Sequence, residues 1–114
     1  MRYKIGVKLP KVLDPRMFIA LDAIERAWES ITGGEGEPTI TSWADGSHMV
    51  GSYHKLNGRA VDVRTKSLLP GLAQVFAIGI RTRIGALGFD VLLEDLGGEN
   101  EHLHVEADQR MDEQ

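Results

Sequence analysis

The chain contains no cysteine, so disulfide staples and thiolate-ligated metal sites are excluded and any metal must be held by histidine and carboxylate. It has no block of lysine or arginine; 13 basic residues stand against 17 acidic ones, interspersed, for a formal charge of -4. A nucleic-acid partner is therefore not expected. No segment approaches the ~20 consecutive apolar residues of a membrane span. The basic start, MRYKIGVKLPKVLD, is interrupted by Lys8, Pro10 and Lys11 before an apolar core can form. Neither a secretion signal nor a membrane span is expected, which points to synthesis in the cytoplasm. Repeats and low-complexity tracts are also missing, and 114 residues leave room for one monomeric domain, residues 1–114, with a core and one site but no accessory module.

What is present is a clean pattern of helix and strand. Asp14 and Pro15 read as an N-cap and first helical residue, after which Met17, Leu21, Ile24, Trp28 and Ile31 recur at helical spacing until Gly33 and Gly34. TITS, residues 39–42, is a β-branched run suited to a strand. From Trp43 to Asn57 there is no periodicity, only a glycine-punctuated loop carrying Asp45, Ser47, His48, Ser52 and His54; loops this long in small domains are often functional. RAVDVRT then alternates, with Val61 and Val63 facing one way and Ala60, Asp62 and Arg64 the other. Leu69, Leu72, Val75, Phe76, Gly79 and Ile80 form a second helical stripe ending near Gly85 or Gly88. Phe89 to Glu94 reads as a strand, Gly97 and Gly98 as a turn, and ENEHLHVEAD as a last strand with Leu103 and Val105 inward and His102, His104 and Glu106 on the opposite face. The expected architecture is α+β: a small, mostly antiparallel sheet with helices packed on one side and a site on the open side.

Histidines and carboxylates gather on the positions left free of the core. His54 ends the long loop, Asp62 lies on the strand that follows, and Glu101 stands three residues before His104. Two neutral imidazoles and one carboxylate make a three-ligand catalytic zinc site with a fourth position for water. Such an ion can lower the pKa of its water from ~15.7 to about 7. A nearby carboxylate that is not a ligand must then accept the proton and return it to the leaving amine, and Glu101 is the candidate. The register is open on spacing alone, because Glu99 with His102 competes with Glu101 with His104.

The segments SYHKLNGRAVD and EHLH carry a resemblance. The first is similar to S-x-H-x-x-G-x-A-x-D with one residue more between histidine and glycine, and the second follows E-x-x-H; together they resemble the zinc D,D-carboxypeptidases and L-alanyl-D-glutamate endopeptidases, the family that shares its fold with the Hedgehog signalling domain. TSWADGSHMVGSYH also looks like the approach to the first ligand in many phage-borne members. The likeness spans Thr39 to Glu106 and favours the second register, since Glu106 echoes the family's H-x-E ending. It implies zinc ligated by His54, Asp62 and His104, with Glu101 as catalytic base and Ser52 contacting substrate or bracing the loop. The implied substrate is a peptide bond of the bacterial wall stem peptide. Release to the wall by phage lysis, carriage in a virion or a cytoplasmic recycling role would each suit a chain of this kind. Two departures are visible. Lys55, Leu56 and Asn57 place three residues, not two, between His54 and Gly58, an insertion that a bulge or turn at Asn57 can absorb. TITSWADGS lacks the family's arginine for a substrate carboxylate, so Arg59 or Arg64 would have to replace it, Arg64 being on the face of Asp62. His102 is expected beside the ligands, orienting one of them or the substrate. His48 is either a donor to a developing oxyanion or an exposed loop residue. The rival reading is a non-catalytic zinc-binding interaction domain of the Hedgehog type.

Overall fold

The structure, a computed structural model, describes residues 1–4, 7, 14–43 and 58–107. Among the described residues, two α-helices, α1 (Met17–Thr32) and α2 (Leu72–Ile84), and five strands, β1 (Arg2–Tyr3), β2 (Thr39–Ser42), β3 (Ala60–Arg64), β4 (Phe89–Glu94) and β5 (His102–Ala107), make an α+β fold. No helix among the described residues is long and apolar enough to cross a membrane.

The apolar stripe of the first helix does what its spacing predicts. Met17, Ala20, Ala23, Ile24, Ala27 and Trp28 are buried on one face of α1, and Leu21 and Ile31 pack at its margin. Regular helix begins at Met17 rather than Pro15, yet Asp14 still acts at the start: its Oδ1 accepts the Arg16 backbone N–H at 3.0 Å, satisfying a donor that the helix leaves orphaned. The helix stops where Gly33 adopts φ 70° and donates its N–H to the Glu29 carbonyl, a left-handed cap that suits glycine. The second helix buries Phe76 and Ile80 of the expected stripe but turns inward a face broadened by small residues. Ala73, Phe76, Ala77, Ile80 and Ile84 are buried, whereas Leu69 and Val75 are exposed. The small residues on this face let the helices approach closely. A Cβ built on Gly79 would lie 3.4 Å from that of Ala27, and the Trp28 and Phe76 rings meet edge to face at 5.6 Å.

The sheet runs β1-β2-β3-β5-β4. It is mixed, where a mostly antiparallel sheet is expected from the sequence: β1 pairs parallel with β2, and the other three pairings are antiparallel. The parallel pair follows from the connection, since neighbouring parallel strands need a crossover of a dozen or more residues and the segment containing α1 provides it. β1 has only two residues, both exposed, too few to show an alternation. Ile40, Val61, Val63, Phe89, Val91, Leu103 and Val105 share one buried cluster with both helices, so the helices cover one face of the sheet. Burying Leu103 there contributes on the order of 1.5–3 kcal/mol, and the same alternation sends its neighbours His102 and His104 to the open face.

Candidate metal centre

Antiparallel register decides which open-face residues meet. Asp62 on β3 lies directly opposite His104 on β5, and His104 opposite Leu92 on β4. One row further along, Arg64, His102 and Glu94 stand in line. Directly opposed residues have Cβ atoms ~4.5–5.5 Å apart, so side chains 42 positions apart in sequence come within bonding reach.

His104 sits between two carboxylates. Its Nδ1 donates to Asp62 Oδ1 at 2.9 Å, and its Nε2 to Glu106 Oε1 at 2.8 Å. All three side chains are mostly buried. Burial by itself would lower the imidazole pKa, but the hydrogen bonds and charges of Asp62 and Glu106 outweigh it and raise the group to about 9. Glu94 Oε1 reaches to 4.0 Å from His104 Nδ1. Asp62, Glu94 and His104 each offer a ligand atom, all within 4.8 Å of one another. This donor set, one imidazole and two carboxylates, could hold a metal ion, with Glu106 behind the imidazole in the position from which a carboxylate orients a metal-bound histidine.

Of the residues that the sequence singles out, Asp62 and His104 are brought together. His102 is next to them, its Nε2 3.2 Å from Glu94 Oε1 and 3.9 Å from Asp62 Oδ1. Asp62, Arg64, Glu101 and His102 line one cavity of about 620 Å³, joined by Lys4 and Lys66. Glu101 faces that cavity but is held from behind: Thr65 Oγ1 donates to Oε1 at 2.6 Å and the Gly97 N–H to Oε2 at 2.9 Å. The Thr65 hydrogen bond, then the Gly97 one, with the charge of Lys66 adding to both, hold its pKa below the ordinary carboxylate value. His48, Ser52 and His54 lie outside the described residues.

Glu94 and Thr65 escaped sequence reasoning. Glu94 had a signal, the alternation of Asp90, Leu92 and Glu94 along an expected strand, but which strand it would flank cannot be read from spacing. Thr65 is buried, 1% exposed; the alternation of RAVDVRT puts it on the side of Val61 and Val63, but its bond to Glu101 has no local signal. Compared with known protein families, curated proteins and solved structures, the chain matches none.

Proposed function

We propose that the chain is a zinc-dependent peptidase acting on peptide bonds of bacterial cell-wall stem peptides, on a fold of the Hedgehog/D,D-peptidase type. The observation that supports it is the 2.9 Å pairing of Asp62 with His104 across β3 and β5. These are two of the three residues that the resemblance names as ligands, and nothing in composition or local pattern obliges them to meet. When bound there, a divalent cation supplies a Lewis acid and a water of lowered pKa.

The chain's own groups supply the rest. Asp62 and Glu94 offer anionic oxygens, while His104 offers Nδ1 once its proton is released, with Glu106 retaining the proton on Nε2. Thr65 and Gly97 keep Glu101 ionised, the form that can accept a proton from an attacking water and hand it to the leaving amine nitrogen. Arg64 is exposed on the same face and lines the same cavity, where its planar guanidinium can form two parallel hydrogen bonds to a substrate carboxylate. A short peptide with a free carboxylate fits these features.

The test is digestion of defined stem peptides by the zinc-loaded wild type and by Glu101→Gln, with products weighed by mass spectrometry. Wild type should cleave, and the variant should keep its metal while losing about 10²–10⁴-fold in rate. Absence of cleavage by metal-loaded wild type would contradict the proposal. The engagement of both Glu101 oxygens by Thr65 and Gly97 favours a second reading, a metal-binding domain without catalysis. In that case neither protein cleaves, and Glu101→Gln loosens the turn before β5.

A further inference from the structure

Glu101 borders two cavities. One, of about 620 Å³, is the open-face cavity that Asp62 also lines; the other, of about 360 Å³, is lined by Thr65 and Gly97. Thr65 and Gly97 border the second and not the first, so their bonds reach the carboxylate from the side away from the candidate metal centre. A carboxylate has about four lone-pair positions. The Thr65 hydroxyl takes one on Oε1 at 2.6 Å and the Gly97 N–H one on Oε2 at 2.9 Å, which leaves an acceptor position on each oxygen for a proton. The two donors differ in what stands behind them. Gly97 belongs to the same turn as Glu101, four residues away, and moves with it. Thr65 is 36 residues away, stands directly after β3 and is 1% exposed. Lys66 repeats the link, donating from the same segment to the Glu99 carbonyl at 2.8 Å. Valine would continue the buried side of Val61 and Val63 equally well, and burying a hydroxyl is unfavourable unless it is hydrogen-bonded. What threonine adds at this position is the bond to Glu101.

We infer that Thr65 is a positioning residue for Glu101: its buried hydroxyl ties the carboxylate to the end of β3, the strand that carries Asp62, and so fixes the proposed base relative to the candidate metal centre. The inference rests on the proposed function in taking Glu101 as the base, and adds to it a residue that touches neither peptide nor metal. Placement matters because a misplacement of ~1 Å can cost about 10²-fold in rate. The same bond favours the ionised carboxylate. The Thr65 bond, then the Gly97 bond and the charge of Lys66, hold the Glu101 pKa down, while burial and the charge of Asp95 oppose them. Lys4, Asp62, Arg64, Glu99 and His102 are the other charged or titratable groups on the open-face cavity. Without the hydroxyl, Oε1 loses both its anchor and the largest of these effects, so position and protonation change together.

The test compares wild type, Thr65→Val and Thr65→Ser as full chains, zinc-loaded for digestion of defined stem peptides and metal-free for titration of the Glu101 carboxyl ¹³C resonance. Thr65→Val should lower kcat by about 10–10²-fold with KM within about twofold, and its Glu101 should titrate at higher pH than in wild type. Thr65→Ser, which keeps the hydroxyl, should restore both. Independently of any variant, the wild-type Glu101 should titrate below the ordinary carboxylate range. Wild-type kcat with an unmoved Glu101 titration in Thr65→Val, or a Thr65→Ser protein as impaired as Thr65→Val, would overturn the inference and leave the peptidase reading in place. Wild type that cleaves no stem peptide would overturn the peptidase reading. The titration then decides alone whether Thr65 holds the carboxylate: a wild-type Glu101 that titrates in the ordinary range would overturn that as well.

Discussion

The two faces of the sheet are built from the same strands and obey opposite rules. On the helix side, Val61, Val63, Leu103 and Val105 are fully buried among apolar neighbours; on the other, residues one step along the chain are partly buried, His104 bonded to Asp62 and Glu106 and His102 to Glu94. The contrast teaches that one feature, the two-residue period of β3 and β5, sets both stability and chemistry. A packed face fixes the register to within a residue, and that register brings Asp62 opposite His104.

The sharpest way to break the comparison is to damage the packed face alone. Leu103→Ala should cost about 2–5 kcal/mol in urea unfolding, because it opens a cavity where the chain cannot collapse fully. On the open face the expected loss is smaller and depends on pH. His104 has its folded pKa raised from 6.5 to about 9, so the stability it contributes is fully present below pH 6.5 and lost as pH rises through about 9. In metal-free protein, Asp62→Asn should lower stability at pH 6 by roughly 1–3 kcal/mol and flatten the pH dependence between 6.5 and 9. An undiminished slope would mean that Asp62 is not what holds the proton.

Smaller effects refine the picture at the edges. Asp14 is tied to Arg16 by side-chain bonds of 2.9 and 2.6 Å and to Arg59 at 3.1 Å. The side-chain bond from Arg16 outweighs the cost of burial and, aided by the Arg16 backbone bond and the charges of Arg16 and Arg59, lowers its pKa from 3.8 to about 2. Its contribution is present above pH 3.8 and disappears as pH falls towards 2. Asp14→Ala should cost about 0.5–2 kcal/mol at pH 7, with the difference from wild type narrowing in acid. Leu92→Ala, on the open face at 51% exposure, should change stability by no more than about 0.5 kcal/mol; a core-sized loss there would show that this face too is packed.

Much of this is legible in the sequence. The alternation of RAVDVRT and EHLHVEA assigns Val61, Val63, Leu103 and Val105 to the core and Asp62, His102 and His104 to the opposite side, as found. The burial of α1 follows its stripe. What sequence could not show was pairing. Alternation says which way a side chain points and not which strand stands beside it, so Glu94 entered the site only through the β4–β5 register. β1 was illegible because two exposed residues carry no period. The inward face of α2 is legible in part: Phe76 and Ile80 of the expected stripe are buried, whereas close helix contact brings in Ala73 and Ala77 and leaves Val75 exposed. Glu101 was picked for its spacing from His104, and its partnership with buried Thr65 across 36 residues has no local signature.

The most direct measurement is isothermal titration of the metal-free chain with zinc at neutral pH, alongside the double variant Asp62→Asn/His104→Gln. The expected result is one equivalent bound by wild type and none by the variant, with both proteins retaining the same far-ultraviolet circular dichroism. Equal binding by the two, or none by either, would contradict the claim that the open face of this sheet is a metal centre.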